Sequence, residues 1–116
     1  MLTLYTYKQC GSCQKAVKFL KAHGIAFTEV PIREQPPSLE ALNSMLATYK
    51  GELKKLFNVS GGDYRALDLK NKLAHLSTDD ALALLQSNGN LVKRPFVLSP
   101  SFNCVGFNEE QWSSLL

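Results

Sequence analysis

The sequence predicts an α/β fold in which a four-stranded mixed sheet carries an all-helical insert. Three observations lead there. A strand–helix–strand run fills the first thirty residues, two short apolar runs followed by a helix close the chain, and the stretch of about 36–90 between them has helical periodicity only. The order is therefore β-α-β, an insert, then β-β-α, within a single domain over residues 1–116.

Residues 2–6, LTLYT, alternate apolar and polar side chains and are rich in β-formers, which predicts a strand. From Gly11 to His23, Cys13, Ala16, Val17 and Leu20 recur at helical spacing with Phe19 beside the stripe, and Gly24 ends the helix. Residues 25–30, IAFTEV, predict a second strand, stopped by Pro31. Strand, helix and strand in so short a run form a βαβ unit, so the two strands are expected to be parallel with a right-handed crossover. "REQPPS" is a break. Ser38 then caps a helix carrying Leu39, Leu42, Met45, Leu46 and Tyr49, which Gly51 closes. A shorter helix is expected over Glu52–Phe57, and "NVSGGDYRAL" reads as a loop. Ser77-Thr78-Asp79-Asp80 resembles a capping box before Ala81–Leu85, and Gly89 ends that helix. "RPFVLS" and "FNCVGF", split by Ser99-Pro100-Ser101, read as an antiparallel hairpin. Asn108-Glu109-Glu110-Gln111 caps a last helix, with Trp112 and Leu115 expected to anchor it on the sheet. A parallel first pair and an antiparallel second pair in one sheet is the thioredoxin-like arrangement, with the insert forming a helical lobe over one end of the sheet.

Composition narrows the function. The net charge is +3, from 13 basic and 10 acidic residues spread along the chain. A nucleic-acid binder concentrates its basic residues on one face, so direct nucleic-acid binding is not expected, and the cluster Lys50, Lys54, Lys55 reads as a solvated helix face. The opening MLTLYTYKQC lacks a basic region followed by a long apolar one, and no apolar run approaches the ~20 residues that span a bilayer. A cytoplasmic location without membrane association is therefore expected, and a monomer is the expected state. In that compartment cysteines serve reactivity, metal binding or packing more than structural disulfides.

"YKQCGSCQKA" places Cys10 where the first strand becomes a helix and Cys13 one turn into it. The opening amides of a helix have no intrahelical partners and carry partial positive charge, which favours a thiolate. Cys10 is thus the expected nucleophile, with a pKa below the free value of ~8.5, and Cys13 the resolving thiol on the same side. Gly11, with Ser12 between the cysteines, leaves room for a substrate. Zinc would need two further ligands, and Cys104, His23 and His75 are not paired at ligand spacing, so no metal is expected. Cys104, between Asn103 and Val105, reads as a small buried hydrophobe.

The chain has three arginines, Arg33, Arg65 and Arg94. Arginine's planar fork suits carboxylates and oxyanions. Arg94 precedes Pro95 at the start of a strand, where proline lacks a ladder N–H. In a thioredoxin-like sheet such a proline is commonly cis and lies beside the cysteine pair, which would set Arg94 near Cys10. Arg65, in the loop of the insert, is a candidate to fold toward the same site, whereas Arg33 in the proline-rich break reads as a surface charge.

"YKQCGSCQKA", "LFNVSGGDYRALDL", "KRPFVL" and "VGFNEEQW", in this order and across nearly the whole chain, resemble the arsenate reductase/Spx family of thioredoxin-fold proteins. The resemblance implies a nucleophile at Cys10, functional arginines at Arg65 and Arg94, and a cis Pro95. It implies two jobs: reduction of arsenate or of a disulfide with glutathione and glutaredoxin or thioredoxin as thiol partners, or redox-switched regulation through the RNA polymerase α-subunit. Arsenate-reducing members carry a further arginine in the last strand, where this sequence has Gly106 and its neighbours. No tightly bound cofactor is implied, and glutathione enters as a co-substrate.

Overall fold

The computed structural model describes residues 1–115. In chain order lie β1 (Leu2–Thr6), α1 (Gly11–Ala22), β2 (Phe27–Pro31), α2 (Leu39–Thr48), α3 (Gly62–Ala66), α4 (Leu69–Lys72), α5 (Thr78–Ser87), β3 (Phe96–Leu98), β4 (Asn103–Val105) and α6 (Glu109–Leu115). Tight 3-10 turns occur at Leu53–Leu56, Leu73–His75 and Gly89–Leu91. The sheet order is β2-β1-β3-β4. β1 and β2 are parallel, from Leu2 opposite Phe27 to Thr6 opposite Pro31. β3 runs antiparallel to both β1 and β4. This is the mixed sheet of a thioredoxin-like fold.

The period-two pattern of the strands divides the core. Leu2 and Leu4 of β1, Val97 of β3 and Cys104 of β4 face α1 and α6, where they meet Ala16, Leu20 and Trp112. Alternate residues Tyr5, Phe96, Leu98 and Val105 face the insert, whose core contains Leu42, Met45, Leu82 and Leu85. The insert therefore packs across a face of the sheet and shares a core with it, a closer union than a lobe over one end. Ser38 and Ser77 cap α2 and α5 by accepting bonds from the amides of Ala41 and Asp80, both at 3.1 Å. The exposed edge of β4 is covered by α2: the Tyr49 hydroxyl, just past the helix end, accepts the Val105 amide at 3.0 Å.

Four sequence expectations are corrected. Ile25 and Ala26 lie outside β2, because the Ile25 amide bonds to Leu20 O at 3.0 Å and completes the exit from α1. Pro31 is the last residue of β2 and not its stop, since β2 is an edge strand that needs no N–H there. The "GGDYRA" loop closes into the short helix α3, held by Tyr64 buried against Phe57. Leu115 is exposed, so Trp112 alone buries α6, with its indole Nε1 donating to Gly106 O at 3.3 Å.

Candidate functional site

Strand direction brings the site together. β1 and β2 are parallel, so both finish at one end of the sheet, and β3 starts there because it runs against β1. Thr6 lies opposite Pro31 and Tyr5 opposite Phe96. The segments just beyond these pairs converge: Tyr7–Cys10 after β1, Ile32 and Arg33 after β2, and Arg94–Pro95 before β3.

Cys10 is the N-cap of α1, with an extended backbone (φ −90°, ψ 115°). Its sulfur takes the capping role usually held by a side-chain oxygen and accepts the Cys13 amide at 3.3 Å. The amide and the positive end of the helix both point at that sulfur. The turn leading in is tied from both sides: the Cys10 amide donates to Tyr7 O at 3.0 Å, and Gln14 Nε2 donates to Lys8 O at 3.1 Å. Cys10 is half-buried, whereas Cys13 is only 2% exposed. Both are free thiols. Burial, and then the hydrogen bond between its sulfur and that of Cys10, push the Cys13 thiol from an ordinary 9.0 up to about 12, against the opposing pull of the Tyr7 backbone and the Arg94 charge. The pair is thus asymmetric: an accessible sulfur at the helix start and a protonated thiol behind it.

Arg94 is near enough to the pair for its charge to act on the Cys13 thiol. The Arg94–Pro95 peptide is cis and Pro95 is buried. The Arg94 guanidinium carbon lies 5.0 Å from the centre of the Tyr7 ring, and its Nη1 is inaccessible with no hydrogen-bond partner among the described residues. Gly11 is exposed, and a Cβ built there would meet nothing within 4 Å, so the approach to Cys10 past that residue is open. Ser12 is exposed on α1 and lines a second surface hollow with Lys15, Lys18 and His23. Arg65 is not gathered here. It is exposed on α3 and borders a cavity of about 750 Å³ in the helical lobe, walled by Leu53, Val59, Tyr64, Leu73 and Leu76.

Two residues at the site were missed by sequence reasoning. Arg33 is exposed, as read from the sequence, but its guanidinium carbon lies 4.9 Å from the centre of the same Tyr7 ring, and its Nη1 donates to the Tyr7 hydroxyl at 2.8 Å. Tyr7 itself then donates to Gln9 Oε1 at 3.2 Å, next to Cys10. A signal was available: parallel pairing of β1 and β2 places the residues after Thr6 and after Pro31 side by side. Cys104 is buried in β4, and burial pushes its thiol up to about 11, as befits a packed hydrophobe. His23 stacks on Phe19 and its Nδ1 contacts Phe19 O at 2.9 Å.

The ArsC family model matches residues 5–115. The chain belongs to the ArsC family. It is 48% identical over 111 residues to the uncharacterised protein YusI of Bacillus subtilis, covering 96% of this chain and 94% of that one. It is 33% identical to the global transcriptional regulator Spx of Enterococcus faecalis, covering 96% and 83% respectively. Among solved structures, a protein related to the ArsC family from Bacteroides fragilis superposes with a TM-score of 0.92 at 37% identity, covering 99% of this chain and 97% of that chain. A Streptococcus mutans protein described as a possible arsenate reductase gives 0.88 at 37% identity, covering 97% and 98%.

Proposed function

We propose that this ArsC-family chain is a thiol–disulfide oxidoreductase with Cys10 as the nucleophile and Cys13 as the resolving thiol. The observation that carries this reading is the asymmetric pair: Cys10 Sγ capping α1 on the Cys13 amide, with the Cys13 thiol buried behind it and pushed up to about 12. The Cys10 thiolate attacks one sulfur of a disulfide. A mixed disulfide forms, the substrate S–S bond breaks, and the departing sulfur leaves as a thiolate. Cys13 then gives up its proton and attacks Cys10 Sγ, releasing the second thiol and closing the Cys10–Cys13 disulfide. The protein pair loses two electrons and the substrate disulfide gains them. Glutathione, glutaredoxin or thioredoxin restores the dithiol. Arg94, beside the pair and with an unpartnered Nη1, stabilises the negative charge on the departing group, and an oxyanion is a second class of substrate that it suits. Gly11 and Pro95 shape the approach, and Ser12 borders it.

The test is turnover of bis(2-hydroxyethyl) disulfide with glutathione as reductant. The parent protein is expected to consume it, and Cys10→Ser is expected to fall to the uncatalysed rate. Cys10→Ser turning over as fast as the parent overturns the reading.

A second reading, a redox-switched binding protein, is supported by the likeness to Spx regulators. Here the Cys10–Cys13 disulfide changes the surface at the end of the sheet, and the RNA polymerase α-subunit reads it. Capture of that subunit by the oxidised but not the reduced protein supports this reading, and capture in neither state removes it.

A further inference from the structure

Tyr7, Arg33 and Arg94 stand at one end of the sheet as a connected group, and the chemistry just described uses only Arg94. Both guanidinium carbons lie near one ring, at 4.9 Å for Arg33 and 5.0 Å for Arg94. Arg33 also donates from Nη1 to the Tyr7 hydroxyl at 2.8 Å. Two like charges against one ring repel each other, and the ring's quadrupole offsets part of that repulsion. The nearby carboxylate is Asp63. It is held below the usual carboxylate range first by the Asn88 and Asn90 side-chain amides, with the Arg33 charge as the weakest contributor. Its Oδ2 accepts from Asn88 Nδ2 at 2.9 Å and Asn90 Nδ2 at 3.2 Å, so it is already committed to the lobe. Arg94 Nη1 has no partner at all among the described residues. A buried guanidinium nitrogen without an acceptor is an unusual arrangement, and the two guanidinium charges held at one ring are what an arriving anion neutralises.

We infer that Tyr7, Arg33 and Arg94 form a carboxylate-binding clamp beside Cys10, which selects disulfides bearing carboxylate groups over uncharged ones. The inference rests on the thiol-exchange reading and names its substrate class. Arg94, half-buried against the Tyr7 ring, supplies one charge for a substrate carboxylate. Arg33 supplies a second charge and, through the Tyr7 hydroxyl and Gln9, holds the turn that carries Cys10. A carboxylate-bearing disulfide is thereby docked with its sulfur at Cys10 before exchange begins, which raises the encounter rate and orients the bond for attack.

The experiment uses the full chain with Cys13→Ser and Cys104→Ala, so that Cys10 is the sole thiol. Two probes are compared by stopped flow: 5,5′-dithiobis(2-nitrobenzoate), which carries two carboxylates, and 4,4′-dithiodipyridine, which carries none. In each case the Cys10 thiolate forms a mixed disulfide and one aromatic thiolate departs. The quantity read is the ratio of the two rates. Arg33→Gln is expected to lower that ratio about fivefold, the upper end for one exposed charge pair. Arg33→Lys is expected to recover part of it, and added salt to lower it in the parent more than in Arg33→Gln. Loss of packing alone would slow both probes alike. A ratio unchanged in Arg33→Gln, or equal slowing of both probes, overturns the clamp while leaving thiol exchange intact. Release of thiol from neither probe overturns the exchange reading and the clamp with it.

Discussion

At the scale of the residue, two cysteines of the same type three positions apart are made chemically different by a single helix start. Cys10 caps the helix and keeps contact with solvent, whereas Cys13 sits one turn in, against the core. An expected consequence is that Cys13→Ser halts the reaction midway: the mixed disulfide between Cys10 and the substrate thiol persists and is seen by mass spectrometry as a stable adduct. An adduct that disappears as quickly as in the parent would show that Cys13 does not resolve it. Tyr49 offers a second residue-level test. Its hydroxyl accepts the Val105 amide at the open edge of β4, and Tyr49→Phe strands that donor in a half-buried setting. A loss of about 1 kcal/mol in urea unfolding is expected.

At the scale of the element, the helical insert depends on its caps and on one close approach. Ser38→Ala and Ser77→Ala each remove an amide partner from α2 and α5, and each is expected to cost about 1 kcal/mol. Gly89 is far more restricted. A Cβ there would overlap the Ile32 carbonyl oxygen and crowd the Arg33 backbone, at the point where the end of α5 passes the exit of β2. Gly89→Ala must push these backbones apart, and a loss of about 3 kcal/mol or more is expected. Because the displaced segment carries Arg33, the same variant should also disturb the end of the sheet where Tyr7 and Cys10 lie. Comparable stability of Gly89→Ala and parent by calorimetry would contradict the close approach.

At the scale of the whole molecule, the sheet separates two cores, and two buried thiols on the α1 side hold part of the alkaline stability. Cys104 lies in the core under α1 and α6, its thiol pushed up to about 11, and Cys13, buried on α1, is pushed up to about 12, both from an ordinary 9.0. A group whose folded value is raised holds its proton more tightly when folded, so its contribution is complete below the unfolded value. It fades as pH climbs toward the folded one. The reduced protein is therefore expected to lose stability progressively from about pH 9 toward 11–12, and Cys104→Ala should flatten part of that decline. Stability that holds constant across this range would refute the assignment. Trp112 gives the corresponding packing test: fully buried, with Phe19 and Phe107 edge-on around it, it is expected to cost about 3–5 kcal/mol on replacement by alanine.

Much of this was legible in the chain itself. The alternation of LTLYT, the helical stripe closed by Gly24 and the serine caps are local signals, and local physics determined their elements and the ArsC-family topology they spell. The position of Cys10 at a strand-to-helix junction was likewise local, whereas the cis Arg94–Pro95 peptide was expected from the thioredoxin-like arrangement and the family resemblance. What failed or went unseen was whatever depended on a distant partner. α3 forms within a glycine-rich run because Tyr64 finds Phe57, and Leu115 is left exposed because one tryptophan fills the seat under α6. Arg33 meets Tyr7 across 26 residues because parallel strands end together, and Arg65 faces the lobe cavity. Sequence determined which groups sit at the helix start, since capping and backbone preference act over a few neighbouring residues. Tertiary structure alone decided which charges stand beside them, since that follows from strand register and packing between segments far apart in the chain.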